Sequence, residues 1–198
     1  MDRLSALAIV LLALGLVACE ERRDPSAAPP SRVNAAKVSA RQGTTVEAFC
    51  DVHFKDNAPA FQWPALAPGE TAPAAAPSWR WVNVWATWCK PCIEEMPRLL
   101  RWRDQLARST HPVDLVFVSV DETADVVEAF RTKHPETPPS LRLADPDNQG
   151  VWFRALGLDG EPPIPIHVFV DPEGRVRCAR AGGVREQDFA VIERLLGA

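Results

Sequence analysis

The chain has 198 residues, of which 46% are hydrophobic, and carries a formal net charge of -4. This length allows one domain with a substantial core and an additional tail. The negative net charge and the lack of a Lys/Arg cluster argue against a nucleic-acid-binding protein. Five cysteines, two of them close together in a motif, indicate an oxidising or redox-managed compartment outside the cytosol.

Residues 1–19 have the pattern of an export signal. The apolar run from Leu4 to Ala18 is too short for a comfortable membrane span but fits the core of a signal peptide. Its end, Leu16-Val17-Ala18-Cys19, resembles a bacterial lipoprotein lipobox, which implies that Cys19 is the lipidated first residue of the mature chain. The alternatives are an ordinary cleaved signal and an uncleaved N-terminal anchor. By resemblance to bacterial lipoproteins, Glu20 rather than Asp after the cysteine leaves it open whether the protein is sorted to the outer membrane.

Residues 20–45 are predicted to be a disordered tether. They are rich in Pro, Ala, Ser and charged residues and have no apolar period, so they cannot bury enough surface to offset chain entropy. A random coil of this length spans about 25 to 30 Å, enough to hold a small domain away from a membrane. The folded domain is expected to cover residues 46–198. It begins with an alternating stretch, Thr45 to Phe54, and residues 65–78 are Ala/Pro-rich and predict a loop.

The stretch Trp81-Val-Asn-Val-Trp-Ala-Thr-Trp-Cys-Lys-Pro-Cys-Ile-Glu-Glu-Met-Pro97 joins a strand to a helix. Its apolar, β-branched first part, Trp81 to Ala86, predicts a strand buried on both faces. Helical spacing follows, and Pro91 suits the first turn, where its missing N–H does no harm. Cys89 and Cys92 therefore open the helix, close enough for a disulfide. Free backbone N–H groups and the helix dipole favour negative charge on Cys89.

Redox chemistry is favoured over three other uses of this cysteine pair. A zinc site needs a second ligand pair, but the other cysteines are isolated and the four histidines form no cluster. Haem attachment needs a histidine directly after the second cysteine, where Ile93 stands. A purely structural disulfide does not need a strand that delivers it to a helix tip. A Cys-x-x-Cys beside a βαβ pattern is typical of redox proteins, and we predict neither a metal nor a cofactor.

The remaining chain alternates strands and helices, which predicts a parallel central pair with right-handed crossovers. The predicted elements are a strand over Val113–Val120, a helix from Asp121 to Lys133, a short helix over Gln149–Leu156 ended by Gly157, two antiparallel strands around an Asp-Pro-Glu-Gly turn, and a closing helix over Glu186–Leu196. In the second helix, Val126, Val127 and Phe130 are predicted to form the inner face.

The segment Trp85-Ala-Thr-Trp-Cys-Lys-Pro-Cys92, followed by Glu94-Glu95-Met96-Pro97, resembles the active-site segment of thioredoxin-fold thiol:disulfide oxidoreductases of the membrane-tethered TlpA/ResA type. The resemblance extends over about residues 46–198. It implies an α/β, thioredoxin-like three-layer fold with a central mixed β-sheet flanked by helices and an N-terminal β-hairpin extension. The run Ala58-Pro-Ala-Phe61 resembles the start of that hairpin.

The resemblance also implies roles for the residues around the motif. Cys89 is the attacking thiolate and Cys92 resolves the mixed disulfide. Asn83 stands where thioredoxins proper carry a buried Asp, whereas Glu95 matches a Glu that ResA-like proteins place three residues after the second cysteine. Glu95 is therefore the candidate base for Cys92, and the alternative is a solvated helix carboxylate. The charge of Lys90 is expected to lower the pKa of Cys89.

A second part of the predicted site lies on the strand after the third helix. Pro165 matches the family's cis-proline facing the cysteines, although Pro163 replaces the usual Gly, and an ordinary trans proline is the alternative. Trp88 and the backbone of Ile164 are expected to line a groove in which an extended substrate segment pairs as an added strand. His167, where the family often has Thr, is expected to be a packed strand residue.

Two cysteines, Cys50 and Cys178, are left after the motif is accounted for. One precedes the hairpin and the other lies near the end of the last strand, and these edges can be neighbours in this fold. In an exported protein such a pair suggests a structural disulfide. Two separate buried thiols are the alternative.

The implied function is a membrane-tethered, extracytoplasmic enzyme that reduces protein disulfides, in a pathway such as cytochrome c maturation. It is expected to be a periplasm-facing, lipid-anchored monomer whose partners are protein thiol/disulfide substrates and an upstream membrane electron donor. The alternative is a copper(I) chaperone that uses Cys89, Cys92 and a histidine such as His167. Peroxiredoxin activity is not expected, because no Pro-x-x-x-Thr-x-x-Cys arrangement ends at Cys89.

Overall fold

The computed structural model describes residues 45–159 and 161–197. Six strands form one mixed sheet in the order β1-β6-β5-β2-β3-β4. The strands are β1 (Val52–His53), β2 (Trp79–Trp85), β3 (Val113–Ser119), β4 (Ser140–Arg142), β5 (Ile166–Val170) and β6 (Val176–Ala181). The helices are α1 (Val46–Phe49), α2 (Lys90–Leu106), α3 (Ala124–Lys133), α4 (Gln149–Ala155) and α5 (Phe189–Leu196). Short 3-10 turns, Pro146–Asn148 and Glu186–Asp188, precede α4 and α5.

The predicted export signal, its Cys19 and nearly all of the predicted tether lie outside the described residues. Within the described ranges, no helix combines the length and the apolar character needed to cross a membrane. The lipid anchor and the domain boundaries therefore stay predictions.

Strand β2 lies in the interior of the sheet and carries the residues that position the motif. It pairs in parallel with β3 and antiparallel with β5. Six of its seven residues are buried, Arg80 being the partly exposed one. The prediction of a strand buried on both faces is confirmed, and the strand begins two residues earlier than predicted. Its Trp81 ring stacks against Trp102 of α2 and lies 4.8 Å from the Phe169 ring, which joins the sheet to the motif helix.

The predicted inner face of α3 is wrong at one position. Val127 and Phe130 are partly buried, and Phe130 packs edge-on against Trp85. Val126 instead is 46% exposed, and no residue of α3 is fully buried. The helix also begins at Ala124 rather than at Asp121. The physical reason is that the buried Asp121 carboxylate accepts hydrogen bonds from Thr87 and from Ser119 at the end of β3, which holds this residue at the edge of the sheet, and Thr123 takes the N-cap position of the helix.

Residues 45–78, all of which the structure describes, do not form the N-terminal β-hairpin predicted from the resemblance. The start of the alternating stretch is one helical turn, α1, whose Thr45 side chain accepts a hydrogen bond from the Ala48 N–H at 3.3 Å. Strand β1 pairs with the distant β6. Residues 54–78 then form a loop, touching the sheet through two single bridges, Ala60 with Arg175 and Leu66 with Leu143. Five prolines in this stretch remove the N–H donors that a hairpin ladder needs.

The C-terminal part follows the prediction closely. Strands β5 and β6 are antiparallel, and the turn between them closes with a hydrogen bond from the Gly174 N–H to the Asp171 carbonyl at 2.9 Å. Gly174 has a φ of 77°, a left-handed conformation that favours glycine. Gly157, with a φ of 80°, follows α4 as predicted.

Candidate active site

The two motif cysteines lie at the N-terminus of α2. They form a disulfide with their Cα atoms 5.3 Å apart. Cys89 is the N-cap residue, and its Sγ accepts a hydrogen bond from the Cys92 N–H at 3.3 Å. Pro91 lies in the first turn of the helix, where its missing N–H costs no intrahelical hydrogen bond. Cys89 retains 4% of its surface and Cys92 none, so an incoming substrate reaches the first sulfur before the second.

The predicted groove residues surround Cys89. Trp88, the residue before it, is 53% exposed, although it is a large aromatic side chain. The Ile164–Pro165 peptide bond is cis, and the Ile164 carbonyl oxygen lies 3.8 Å from the Cys89 sulfur. The next carbonyl, that of Pro165, accepts from the Gly182 N–H at 2.8 Å. The chain thus places the proline segment against the reactive sulfur and anchors it to the loop after β6.

Glu95 is buried, with 2% of its surface exposed, so the alternative of a solvated helix carboxylate is wrong for it. One carboxylate oxygen, Oε1, accepts from Asn83 Nδ2 at 3.1 Å, and the other, Oε2, accepts from the Val184 N–H at 2.9 Å. Its neighbour Glu94 is the solvated carboxylate, and the exposed Lys90 ammonium lies 3.6 Å from it. The Lys90 charge is thus engaged with Glu94, an arrangement that the sequence prediction for Cys89 did not include.

His167 lies fully buried on β5, directly opposite Asn83 in the register of β2 and β5. Its Nδ1 accepts a hydrogen bond from Trp81 Nε1 at 3.1 Å. Its Nε2 lies 3.3 Å from Glu95 Oε1, without the alignment of a full hydrogen bond. The prediction of a packed strand residue holds for its burial, but the imidazole also joins a polar network behind the cysteines. Among the described residues, no three His, Cys, Asp or Glu side chains form a group that would hold a metal ion.

Asp121 is a second buried carboxylate at the site, and the sequence interpretation missed it. Its oxygens accept from the Thr87 N–H at 3.0 Å, from the Thr87 hydroxyl at 2.7 Å and from the Ser119 hydroxyl at 2.7 Å. These bonds fix the backbone two residues before Cys89. A signal was present in the sequence: Asp121 directly follows a buried strand, and the carboxyl ends of adjacent parallel strands lie side by side, where sites in open α/β sheets form.

Cys50 and Cys178 form a second disulfide, with Cα atoms 5.5 Å apart across 128 residues of sequence. Cys178 lies on β6, opposite His53 of β1. Both cysteines are buried. The bond joins the beginning of the described domain to a strand near its end.

A match to a protein-family model decides the classification. The model of the AhpC/TSA family matches residues 54–179, which is well over half of the chain and includes both motif cysteines, Glu95 and Pro165. The chain belongs to the AhpC/TSA family.

Curated relatives and a solved structure agree with this assignment. The chain is 33% identical over 110 residues to the thiol:disulfide interchange protein DsbE of Allochromatium vinosum, covering 55% of this chain and 54% of that protein. It is 29% identical over 108 residues to the thiol-disulfide oxidoreductase ResA of Geobacillus thermodenitrificans, covering 54% of this chain and 57% of that one. A crystal structure of a thioredoxin-related protein from Neisseria meningitidis serogroup B matches with a TM-score of 0.53 and 26% identity, covering 68% of this chain and 98% of that one.

The fold of this family member is thioredoxin-like, as the resemblance implied: a mixed six-stranded sheet flanked by helices. The chain spans little more than half the length of the two curated relatives named above. Their activities therefore come to this protein as a proposal.

We expect Asp121→Asn to lower the free energy of unfolding by about 1 to 3 kcal/mol. The asparagine amide replaces one acceptor oxygen with an NH₂ group, so a donor of Thr87 or Ser119 would lose its acceptor and face another donor. Urea unfolding followed by tryptophan fluorescence measures this. The matched control is Glu122→Gln, which changes an exposed neighbour and should alter stability by less than about 0.5 kcal/mol. Equal midpoints for the two variants would contradict the assigned role of Asp121.

Proposed function

We propose that the protein is a thiol:disulfide oxidoreductase whose Cys89–Cys92 disulfide exchanges with the thiols of protein substrates and whose reduced Cys89/Cys92 dithiol exchanges with their disulfides. One observation carries the proposal. The two sulfurs are bonded at a helix N-terminus, and the Ile164 carbonyl of the cis-proline segment lies 3.8 Å from the more accessible one. The names of the DsbE and ResA relatives support the same reaction class.

In the reducing direction, the Cys89 thiolate attacks a substrate disulfide. A Cys89–substrate bond forms, the substrate S–S bond breaks, and one substrate thiolate leaves. The Cys92 thiolate then attacks Cys89 Sγ, closing the Cys89–Cys92 disulfide and releasing the second substrate thiolate. Two electrons pass from the dithiol to the substrate. The helix N-terminus favours the Cys89 thiolate because its free N–H groups and dipole stabilise negative charge.

Substrate docking follows from the groove around Cys89. The exposed Trp88 ring offers an apolar contact beside the reactive sulfur. The Ile164 backbone, next to Pro165, offers hydrogen-bonding groups to an extended substrate segment, which would pair with it as an added strand. This mode reads the backbone of the substrate and suits a range of protein partners.

Glu95 is the proposed base for the second step. It lies on α2 one turn after Cys92, a spacing that puts both side chains on the same helix face, and both are buried. Water cannot readily take the proton of a buried thiol, so a buried carboxylate on the same face supplies the acceptor. The proton that Cys92 loses passes to Glu95.

A more specific proposal concerns the cellular location of the protein and the redox direction of its reaction. Residues 1–19 and the lipobox ending at Cys19 support an extracytoplasmic enzyme anchored to a bacterial membrane by lipid. An exported dithiol needs reducing equivalents, and a membrane electron donor would supply them to this monomer. We propose that it acts as a reductant of protein disulfides, with apocytochrome c maturation as the candidate pathway.

The test is the reduction potential of the Cys89/Cys92 couple. Titration of the purified protein in thiol/disulfide buffers should change the tryptophan fluorescence with a two-electron midpoint. A value near about −270 mV, as in thioredoxin, supports a reductant, whereas one near about −120 mV, as in DsbA, shows an oxidant. Tight retention of copper(I) without any disulfide turnover would refute the oxidoreductase and support the copper chaperone.

A further inference from the structure

We propose that His167 is a positioning residue for Glu95. It is held in one tautomer by Trp81 and presents its Nε2–H to the Glu95 carboxylate, and so keeps that carboxylate in place to take the proton of Cys92 when Cys92 resolves the mixed disulfide. This inference rests on the proposed function.

The tautomer of His167 follows from the donors around it. The indole N–H of Trp81 can only donate, and it lies 3.1 Å from His167 Nδ1. The Asn83 amide nitrogen lies 3.4 Å from the same atom. Nδ1 must therefore carry a lone pair, and the proton of the neutral ring resides on Nε2.

The Nε2 atom, which carries the hydrogen of the neutral ring, faces Glu95. It lies 3.3 Å from Oε1, and both side chains are buried. The contact lacks the alignment of a full hydrogen bond, so the attraction is that of an N–H dipole for a nearby negative charge. In a buried site this attraction is stronger than in water because the local dielectric constant is low. The pairing therefore holds the carboxylate in one orientation, with Oε1 toward His167.

The other groups around Glu95 leave this role to His167. Asn83 Nδ2 and the Val184 N–H hold the carboxylate as neutral donors. Two cations are engaged nearby: Arg98 of α2 donates to the Val184 carbonyl at 2.7 Å and to the Glu186 carboxylate at 3.2 Å, and Arg180 of β6 donates to the Gly183 and Phe49 carbonyls at 3.3 and 2.6 Å. Cys92, one turn earlier on α2, is the titratable group that the carboxylate is proposed to serve.

The loop after β6 brings these groups together. Its Gly182 N–H bonds to the Pro165 carbonyl, and a Cβ built on Gly183 would lie 3.2 Å from Glu95 Oε2 and 3.9 Å from Pro165 Cγ. A side chain at position 183 would therefore crowd the Glu95 carboxylate. The Glu95–His167 contact lies in this closely packed, buried region.

The experiment measures the decay of the mixed disulfide across pH 4 to 8. The full-length protein, with Cys89 and Cys92 first reduced by a chemical thiol that is then removed, reacts in a single turnover with an excess of a small disulfide-bonded peptide, and acid-quenched samples are resolved by mass spectrometry. The decay rate of the mixed disulfide is expected to rise with pH and then level off, and this rise is called the ascending limb. For His167→Leu we expect the ascending limb to move to higher pH by about one unit, because a donor to the Glu95 carboxylate is lost. The plateau rate at high pH should stay unchanged.

Two amide variants provide a matched pair in case the leucine variant does not fold. The amide nitrogen of Gln reaches the position of the imidazole Nε2, whereas that of Asn reaches only the position of Nδ1. We expect His167→Gln to keep the wild-type limb and His167→Asn to shift it as leucine does. Thermal unfolding of each variant accompanies the rate measurements.

Measurements in the Glu95→Gln variant distinguish a positioning role of His167 from a packing role. If His167 acts through the Glu95 charge, adding His167→Leu to Glu95→Gln should leave the residual rate unchanged. The inference would be overturned if the decay rate rose over the same pH range in the Gln and Asn variants. It would also be overturned if His167→Leu lowered the decay rate by the same factor at every pH, with and without Glu95→Gln. In either case His167 would be a packing residue. An absence of any mixed disulfide with the wild-type protein would instead refute the proposed oxidoreductase itself.

Discussion

Replacing Cys89 with serine is expected to reduce disulfide exchange by at least about a thousandfold, because the serine hydroxyl is a far weaker nucleophile than a thiolate at neutral pH. Cys89 is the accessible member of the pair and the one at the helix N-terminus. Cys92 is fully buried and does not replace it. The measurement is the reduction rate of a fluorogenic peptide disulfide by the purified protein, supplied with a chemical thiol as the electron source.

The matched variant is Cys92→Ser, which keeps the attacking sulfur and removes the resolving one. It should form the Cys89–substrate mixed disulfide and then accumulate it, because the second step has no nucleophile. Trapping of substrate by Cys92→Ser and not by Cys89→Ser assigns the order of attack. Retained turnover in Cys89→Ser, or trapping through Cys92, would contradict the mechanism.

Removing the Cys50–Cys178 disulfide should lower the free energy of unfolding by about 4 to 5 kcal/mol, because the bond closes a very long loop and restricts the unfolded chain. Stability of this size is comparable to that of a whole marginal domain, so the unbridged protein is expected to unfold at much lower denaturant concentration. The bond joins the segment between α1 and β1 to β6.

The measurement needs a background in which the motif disulfide cannot contribute. In Cys89→Ser/Cys92→Ser protein, urea unfolding is compared with and without Cys50→Ala/Cys178→Ala. The same background treated with a strong reductant under denaturing conditions and then refolded is a chemical control, and it should match the quadruple variant. If reduction left the unfolding midpoint of the background unchanged, the two cysteines would be separate buried thiols in solution.

Much of this molecule is encoded in short stretches of sequence. The apolar run of β2, the helical spacing of α2, and the Asp-Pro-Glu-Gly turn were predictable because each depends on periodicity or on the conformational limits of a few adjacent residues. The cysteine pair at the tip of α2 was predictable for the same reason. The family resemblance added the cis bond at Pro165, which no local pattern requires.

Other features depend on which strands become neighbours. Helical spacing places Glu95, and not Glu94, on the face of α2 that carries the buried Cys92 and Leu99. Its polar surroundings are not local, because Asn83 and His167, 84 residues apart, become neighbours only in the register of β2 and β5. Asp121 likewise acquires its role from the adjacent end of β2. The missing hairpin shows the converse case, since prolines along residues 54–78 removed donors that the resemblance had assumed. Short-range chemistry determined the elements and the redox motif, whereas sheet pairing decided which polar groups surround it, because contacts between distant residues exist only once the register is set.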